Sequence, residues 1–330
     1  MEQAGTPPRD SGVCKPVQRS WFDRVPPVLW VLSVMALFFA LASRGSFFTV
    51  PNFLNIAVQG SVLLILSLGA TCAILTEGID LSLGSILTLG GVVAVLLMVR
   101  NVPPVPAMLA GVASGFLCGG INGLLIARGR LPPFIATLGM QGLAGGAAVV
   151  LTNASAIYAD PAPFVFVGSG RLGFIPMPVV VAALSFAVIY LILYHTSFGH
   201  FIFALGGNEA GTALSGVNTV LWKFMTFLMA GGLGGVAGVL MAARLHAAEP
   251  TVGLRWEFDA IAATIIGGTS FEKGRGGING TVLGVVLIAV LRNGLNVIGI
   301  RPVYQALIIG VVMIVAIIFD VLMKKRQEGL

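Results

Sequence analysis

The chain has 330 residues, of which 57% are hydrophobic and only 10% charged, with a formal net charge of +6. That composition excludes a soluble domain with a wetted surface and marks a polytopic helical membrane protein. Apolar runs of about 18 to 23 residues recur where an outer-membrane barrel would alternate in segments of about ten, and the positive charge sits mostly at the ends of those runs, pointing to membrane orientation and not to nucleic acid.

Residues 1–25 are polar, carry Arg9, Lys15, Arg19 and Arg24, and hold prolines at 7, 8 and 16. They read as a flexible cytoplasmic tail. The run after them ends in Ala40-Leu41-Ala42, which resembles a leader-cleavage site, but its length and the spans behind it make it an uncleaved first span. Predicted spans lie at 26–43, 53–75, 81–99, 106–127, 132–152, 177–195, 221–243, 257–270, 277–298 and 302–323, with 324–330 as a short cytoplasmic tail. These spans predict an all-α fold of about ten crossings with both ends cytoplasmic. Twelve of the 19 lysines and arginines, among them Arg128, Arg130, Lys223, Lys273 and Arg275, then face the cytoplasm, in accord with the positive-inside rule.

Two halves of the chain resemble each other. Asn122-Gly123-Leu124 recurs 171 residues later as Asn293-Gly294-Leu295, each followed by a proline, Pro132 and Pro302. Asp80 precedes Gly90-Gly91 in the third span as Asp259 precedes Gly267-Gly268 in the eighth. Pairing a third span with an eighth, and a fourth with a ninth, relates helices that run in opposite directions, the mark of an inverted repeat of helices 2–5 and 7–10. The repeats cover about 53–152 and 221–323, joined through a loop at 196–220. Gly111, Gly115 and Gly119 in the fourth span, and Gly231, Gly234, Gly235 and Gly238 in the seventh, suit close helix contact. The first and sixth spans lack glycine and are expected to face lipid.

The polar residues within this apolar frame carry what chemistry there is. Asp80 and Ser82 sit between two spans with almost no linker. They read either as a broken helix lining a solute path or as a tight cytoplasmic turn with Asp80 capping the next helix. Asn122, Gln141, Asn293 and Asn296 either line a path for a hydroxyl-rich solute or bond neighbouring helices. Glu249, Arg255, Glu257 and Asp259 cluster on the predicted outer side beside the long segment 153–176, either to receive a soluble delivery protein or as solvated charges. The stretch LGGNEAGTALSGVN at 205–218 interrupts the apolar pattern at mid-chain. Asn208 can cap a helix of about two turns there, Glu209 suits its positive end and Gly216 can terminate it. A helix that short needs a surface to pack against, unless the stretch is an ordinary loop. The sequence holds no P-loop, no catalytic constellation, no metal-ligand spacing and no call for a cofactor.

TEGIDLSLGS at 76–85, PPFIATLGM at 132–140, ALGGNEAGTALSGVN at 204–218 and AIAATIIGGTSFEKGRGGINGTVLG at 260–284 together resemble the permease subunit of bacterial monosaccharide importers of the ATP-binding-cassette class, the ribose, xylose and galactose type. The similarity runs from about residue 28 to 323. It implies a fold similar to that of the cobalamin-importer permease, a multi-pass place in the inner membrane, and three partners: a separate ATPase with a P-loop, a periplasmic sugar-binding protein and a second permease chain. Gly207, Asn208, Glu209, Ala210, Leu214, Ser215 and Gly216 match the cytoplasmic coupling helix that docks in the ATPase. Asp80, Leu81, Ser82 and Gly84 match the family's signature near the path. Related permeases carry nucleosides or other small polar solutes, and an ion-coupled secondary transporter using Asp80, Asp259 or Asp320 is the alternative from another class.

Overall fold

A computed structural model describes residues 27–315, apart from 44, 271–273, 302–303, 306 and 313. The predicted tails, 1–25 and 324–330, and part of the tenth predicted span lie outside the described residues; those described between 304 and 315 are helical. The helices are α1 (Pro27–Ala42), α2 (Val50–Leu75), α3 (Leu83–Val99), α4 (Pro104–Ala127), α5 (Pro133–Leu151), α6 (Ala162–Ser169), α7 (Met177–His195), α8 (Ser197–Gly207), α9 (Glu209–Leu214), α10 (Thr219–Leu245), α11 (Trp256–Ile266) and α12 (Ile278–Val297). Prolines open α2, α4, α5 and α7, where the missing N–H costs nothing and φ is already helical. Asn218 opens α10 by accepting the Leu221 N–H at 3.0 Å.

Among the described residues six helices are long and apolar enough to cross a membrane: α2, α4, α5, α7, α10 and α12. The chain is a polytopic helical membrane protein. The expected spans at 81–99 and 257–270 differ from the helices found. α3 starts only at Leu83 because the chain is unwound from Gly78 to Ser82. α11 has 11 residues, about 16 Å of helix against a hydrocarbon core of about 30 Å, so it does not cross alone.

Two helices exchange partners between the halves of the sequence. α10 packs against α3 and α4, whereas α2 packs against α11 and α12, and α2 and α10 also touch each other. The first set is joined by glycine. A Cβ on Gly115 would lie 2.4 Å from Gly231 O, one on Gly119 2.4 Å from Phe227 O, and one on Gly238 2.0 Å from Leu87 O, so these backbones touch directly. Without a hydrophobic drive between helices in lipid, such close van der Waals approach is what holds them. The second set adds a buried polar stitch, with Thr71 Oγ1 2.8 Å from Thr281 Oγ1 and 3.3 Å from Thr264 Oγ1.

α1 and α7 present Leu37, Leu41, Leu184 and Leu191 outward, as expected of lipid-facing helices, and α5 exposes Leu138, Leu143 and Val150 as well. The segment 153–176 is structured: Ile157 and Tyr158 pair antiparallel with Ala248 and Ala247, Arg171–Leu172 pairs with Ile175–Pro176, and α6 buries Phe164 completely. Gly168 of α6 seats on the end of α10, where a Cβ would lie 2.1 Å from Ala243 O.

Candidate functional site: two helix starts inside the bundle

The break between α2 and α3 has to satisfy its backbone without water, and neighbouring helices supply the partners. After Leu75, Glu77 takes φ +58 and Gly78 passes so close to Phe227 that a Cβ would lie 2.9 Å from its ring. Asp80 Oδ1 then accepts from both the Ser82 N–H (2.9 Å) and the Ser82 hydroxyl (2.6 Å). Asn122 on α4 donates to Ser82 Oγ at 2.9 Å, and Thr137 on α5 accepts the Leu81 N–H at 3.1 Å. Asp80 is 1% exposed and Ser82 and Asn122 are fully buried. The break is therefore buried among its neighbouring helices. The Asp80 carboxylate holds Ser82, the residue ahead of α3, and makes no bond to the N–H groups of the helix itself.

A second helix start lies against the first. Glu257, in the first turn of α11, is 2% exposed and accepts from Gln141 Nε2 of α5 at 2.9 Å. Its Oε2 reaches the backbone of Gly84 in the first turn of α3, and only a glycine fits there, because a Cβ would come within 2.3 Å of the backbone Gly253 O as well as 2.1 Å of that oxygen. Gly253 meets the same turn and donates its N–H to Thr88 Oγ1 at 3.0 Å. Two helix N-termini, each with a partial positive charge, thus flank one buried carboxylate. One residue pair lies on the far side of α11: Asp259 is hydrogen-bonded and ion-paired to Arg292 of α12, whose guanidinium sits 5.5 Å from the Trp256 ring centroid. The expectation that Glu257 and Asp259 are solvated outer charges is corrected, since burial among α3, α5 and α12 overrides their position beside a loop.

The predicted path residues divide accordingly. Asp80, Ser82 and Asn122 form one hydrogen-bonded chain, and Gln141 joins Glu257. Asn293 is buried at 3% exposure on α12, whereas Asn296 is exposed and accepts from Gln305 at 2.7 Å. Five buried side-chain oxygens, Ser67 Oγ, Asp80 Oδ2, Asn122 Oδ1, Glu257 Oε2 and Asn293 Oδ1, and the Arg292 Nε have no hydrogen-bond partner among the described residues.

At one end of the bundle α8 and α9 form an elbow. Asn208 Oδ1 accepts the Gly211 N–H at 2.8 Å, capping α9, and Gly216 ends the turn at φ +82. Glu209 pairs with Lys223 at 2.6 Å, and Ser215 Oγ bonds back to Gly211 O at 3.0 Å. Thr212 Oγ1 lies 3.0 Å from Ala204 O, tying α9 to α8. Gly206 seats the elbow on the end of α2, where a Cβ would lie 2.0 Å from Leu75 O. Leu214 is left 90% exposed, and no heavy atom comes within 4 Å of a Cβ placed on Gly207.

The family model for the permease component of branched-chain amino acid transport systems matches residues 52–317 of this chain. The chain belongs to that permease family. Among its relatives, the ribose import permease protein RbsC of Escherichia coli K12 is 39% identical over 306 residues, covering 92% of this permease and 95% of the relative. The Bacillus subtilis ribose import permease protein is 40% identical over 277 residues, covering 83% and 86%, and the D-allose transport system permease protein AlsC of E. coli K12 is 37% identical over 298, covering 90% and 91%. No solved structure matches the chain. Within the permease, sequence reasoning found the capped α9 and the Asp80 break but missed α8 and the burial of Glu257. The spacing of Phe198, Ile202 and Leu205, all buried, carries the signal for α8.

Proposed function

We propose that this chain is the membrane-embedded permease of an ATP-driven importer and forms the translocation path for a monosaccharide. Near full-length similarity to permeases named for ribose and allose import carries the reading. A P-loop ATPase docks at the end bearing Glu209, Ala210 and the exposed Leu214, and a periplasmic binding protein delivers sugar at the end bearing α6. A second permease chain, identical or different, completes the path in the bacterial inner membrane. The end with Arg128, Arg130 and Lys223 is then cytoplasmic, which agrees with the positive-inside rule.

The finer architecture proposed is a chain of about ten crossings, similar to the cobalamin-importer permease, with halves at about 53–152 and 221–323 as inverted repeats. The exchange of α2 and α10 supports it, since each plays toward the opposite half the part that the other plays in return. Asp80, Ser82, Asn122, Gln141 and Asn293 line the path, and Asn296 lies at its margin. Alternating access moves them between the two sides as the ATPases draw the elbows together.

Affinity purification of the chain from its native membrane in mild detergent tests the reading. A stoichiometric P-loop partner and ATP hydrolysis are expected. A chain that elutes alone and still moves sugar into vesicles without ATP would refute it.

A further inference from the structure

Glu257 is 2% exposed, and a buried acid is costly unless it is paired and hydrogen-bonded, so one that stays buried needs a return. One oxygen has it: Oε1 accepts from Gln141. The other lies between the first turns of α3 and α11, against Gly84, and is favoured by those helix ends without a hydrogen-bond partner of good geometry among the described residues. On the other side of the same turn, two and four residues earlier, are Ser82 and Asp80, and Asp80 Oδ2 and Asn122 Oδ1 lack donors too. Three planar polar side chains, each at 2% exposure or less, thus carry an acceptor oxygen without a partner, while the unpartnered donors Arg292 Nε and Ser67 Oγ lie on α12 and α2.

Acceptors in excess call for a ligand that brings donors. A polyhydroxyl solute supplies O–H groups, and bonds to a charged acceptor are worth more than neutral ones. A phosphorylated or carboxylated solute would meet two carboxylates and be repelled. We infer that Glu257 is a solute-contacting, specificity-determining residue of the path, binding a hydroxyl of a neutral sugar through Oε2 when α5 and Gln141 draw back from α11. The inference rests on the import reading given above and adds a residue to it. As described, these side chains are buried. Gln141 is the residue that holds Glu257 in place until the site opens.

The test pairs changes in the residue with changes in the sugar. The full chain, assembled with its ATPase and binding protein in vesicles, is assayed for initial uptake of D-ribose, D-allose and their monodeoxy derivatives at saturating binding protein. In the wild type, one deoxy sugar is taken up about tenfold more slowly than its parent, as expected for loss of one bond to a charged group. In Glu257→Gln that ratio falls to near one, while the other deoxy sugars keep theirs. Equal slowing of every sugar, the signature of a merely structural role, overturns the assignment, as does an unchanged profile. If Glu257→Gln fails to assemble, Glu257→Asp withdraws the carboxylate by one methylene and must shift the same ratio. Wild-type uptake that needs no ATP would sink the importer reading alone, because the deoxy profile still reports on Glu257.

Discussion

Adjacent glycines on α4 make opposite predictions for the same substitution. A Cβ on Gly119 would sit 2.4 Å from Phe227 O and 2.9 Å from Gly231 Cα, both backbone atoms of α10 that cannot rotate away. Restoring ordinary contact moves α4 and α10 apart by about 1 Å, and overpacking of that kind costs about 1–3 kcal/mol. The separation also loosens the contacts at Gly115, which meets Gly231 and Gly235, and Gly123, which meets Phe224, all on α10, so the upper part of that range is expected. A Cβ on Gly120 would meet only Leu228 Cδ1 at 3.4 Å, the end of a flexible side chain. Gly120→Ala therefore keeps the helical gain of Ala over Gly, about 0.5–1 kcal/mol. Thermal unfolding in mild detergent should place Gly119→Ala several degrees below the wild type and Gly120→Ala at or above it. Equal midpoints for the two variants would refute the claim that direct backbone contact holds this seam.

Three further outcomes are expected. Arg292→Ala strands Asp259 and should cost about 3 kcal/mol in denaturant unfolding, the low end for a broken buried pair because Arg292 keeps 31% of its side chain exposed; the double variant with Asp259→Asn should recover part of the loss. Asn208→Ala removes the α9 cap, worth about 1 kcal/mol, and should speed amide exchange at Gly211 while leaving exchange in α10 unchanged. Leu214→Glu leaves the fold intact, since that side chain touches solvent, but should lower co-purification of the ATPase and ATP-driven uptake; normal uptake would count against docking at α9.

The helices that could be read from sequence are those whose environment is uniform along their length. α2, α4, α5, α7, α10 and α12 sit in long apolar runs, opened by Pro or Asn in all but α12, and local signals place them within a few residues. The cap at Asn208 and the stop at Gly216 were equally local. α11 was misjudged because its apolar run is interrupted at Glu257 and Asp259, and sequence carries no measure of depth. Gln141 and Arg292, the partners that bury those acids, lie 116 and 33 residues away. The same holds for the break at Asp80, whose neighbours Ser82 and Leu81 are bonded by Asn122 of α4 and Thr137 of α5. What was lost was thus not secondary structure but the identity of distant partners.

The exchange of α2 and α10 also sets an order of events at the ribosome. α3 and α4 present their glycine seam as soon as they are inserted, but the helix that fills it starts roughly 90 residues after α4 ends. At synthesis rates of about 5–20 residues per second, that seam waits on the order of 5–20 s with only lipid or the insertion machinery against it. α2 waits longer still for α11 and α12. Neither half can reach its native packing from its own residues, so biogenesis of this chain is committed to a late, nearly simultaneous closure of both bundles.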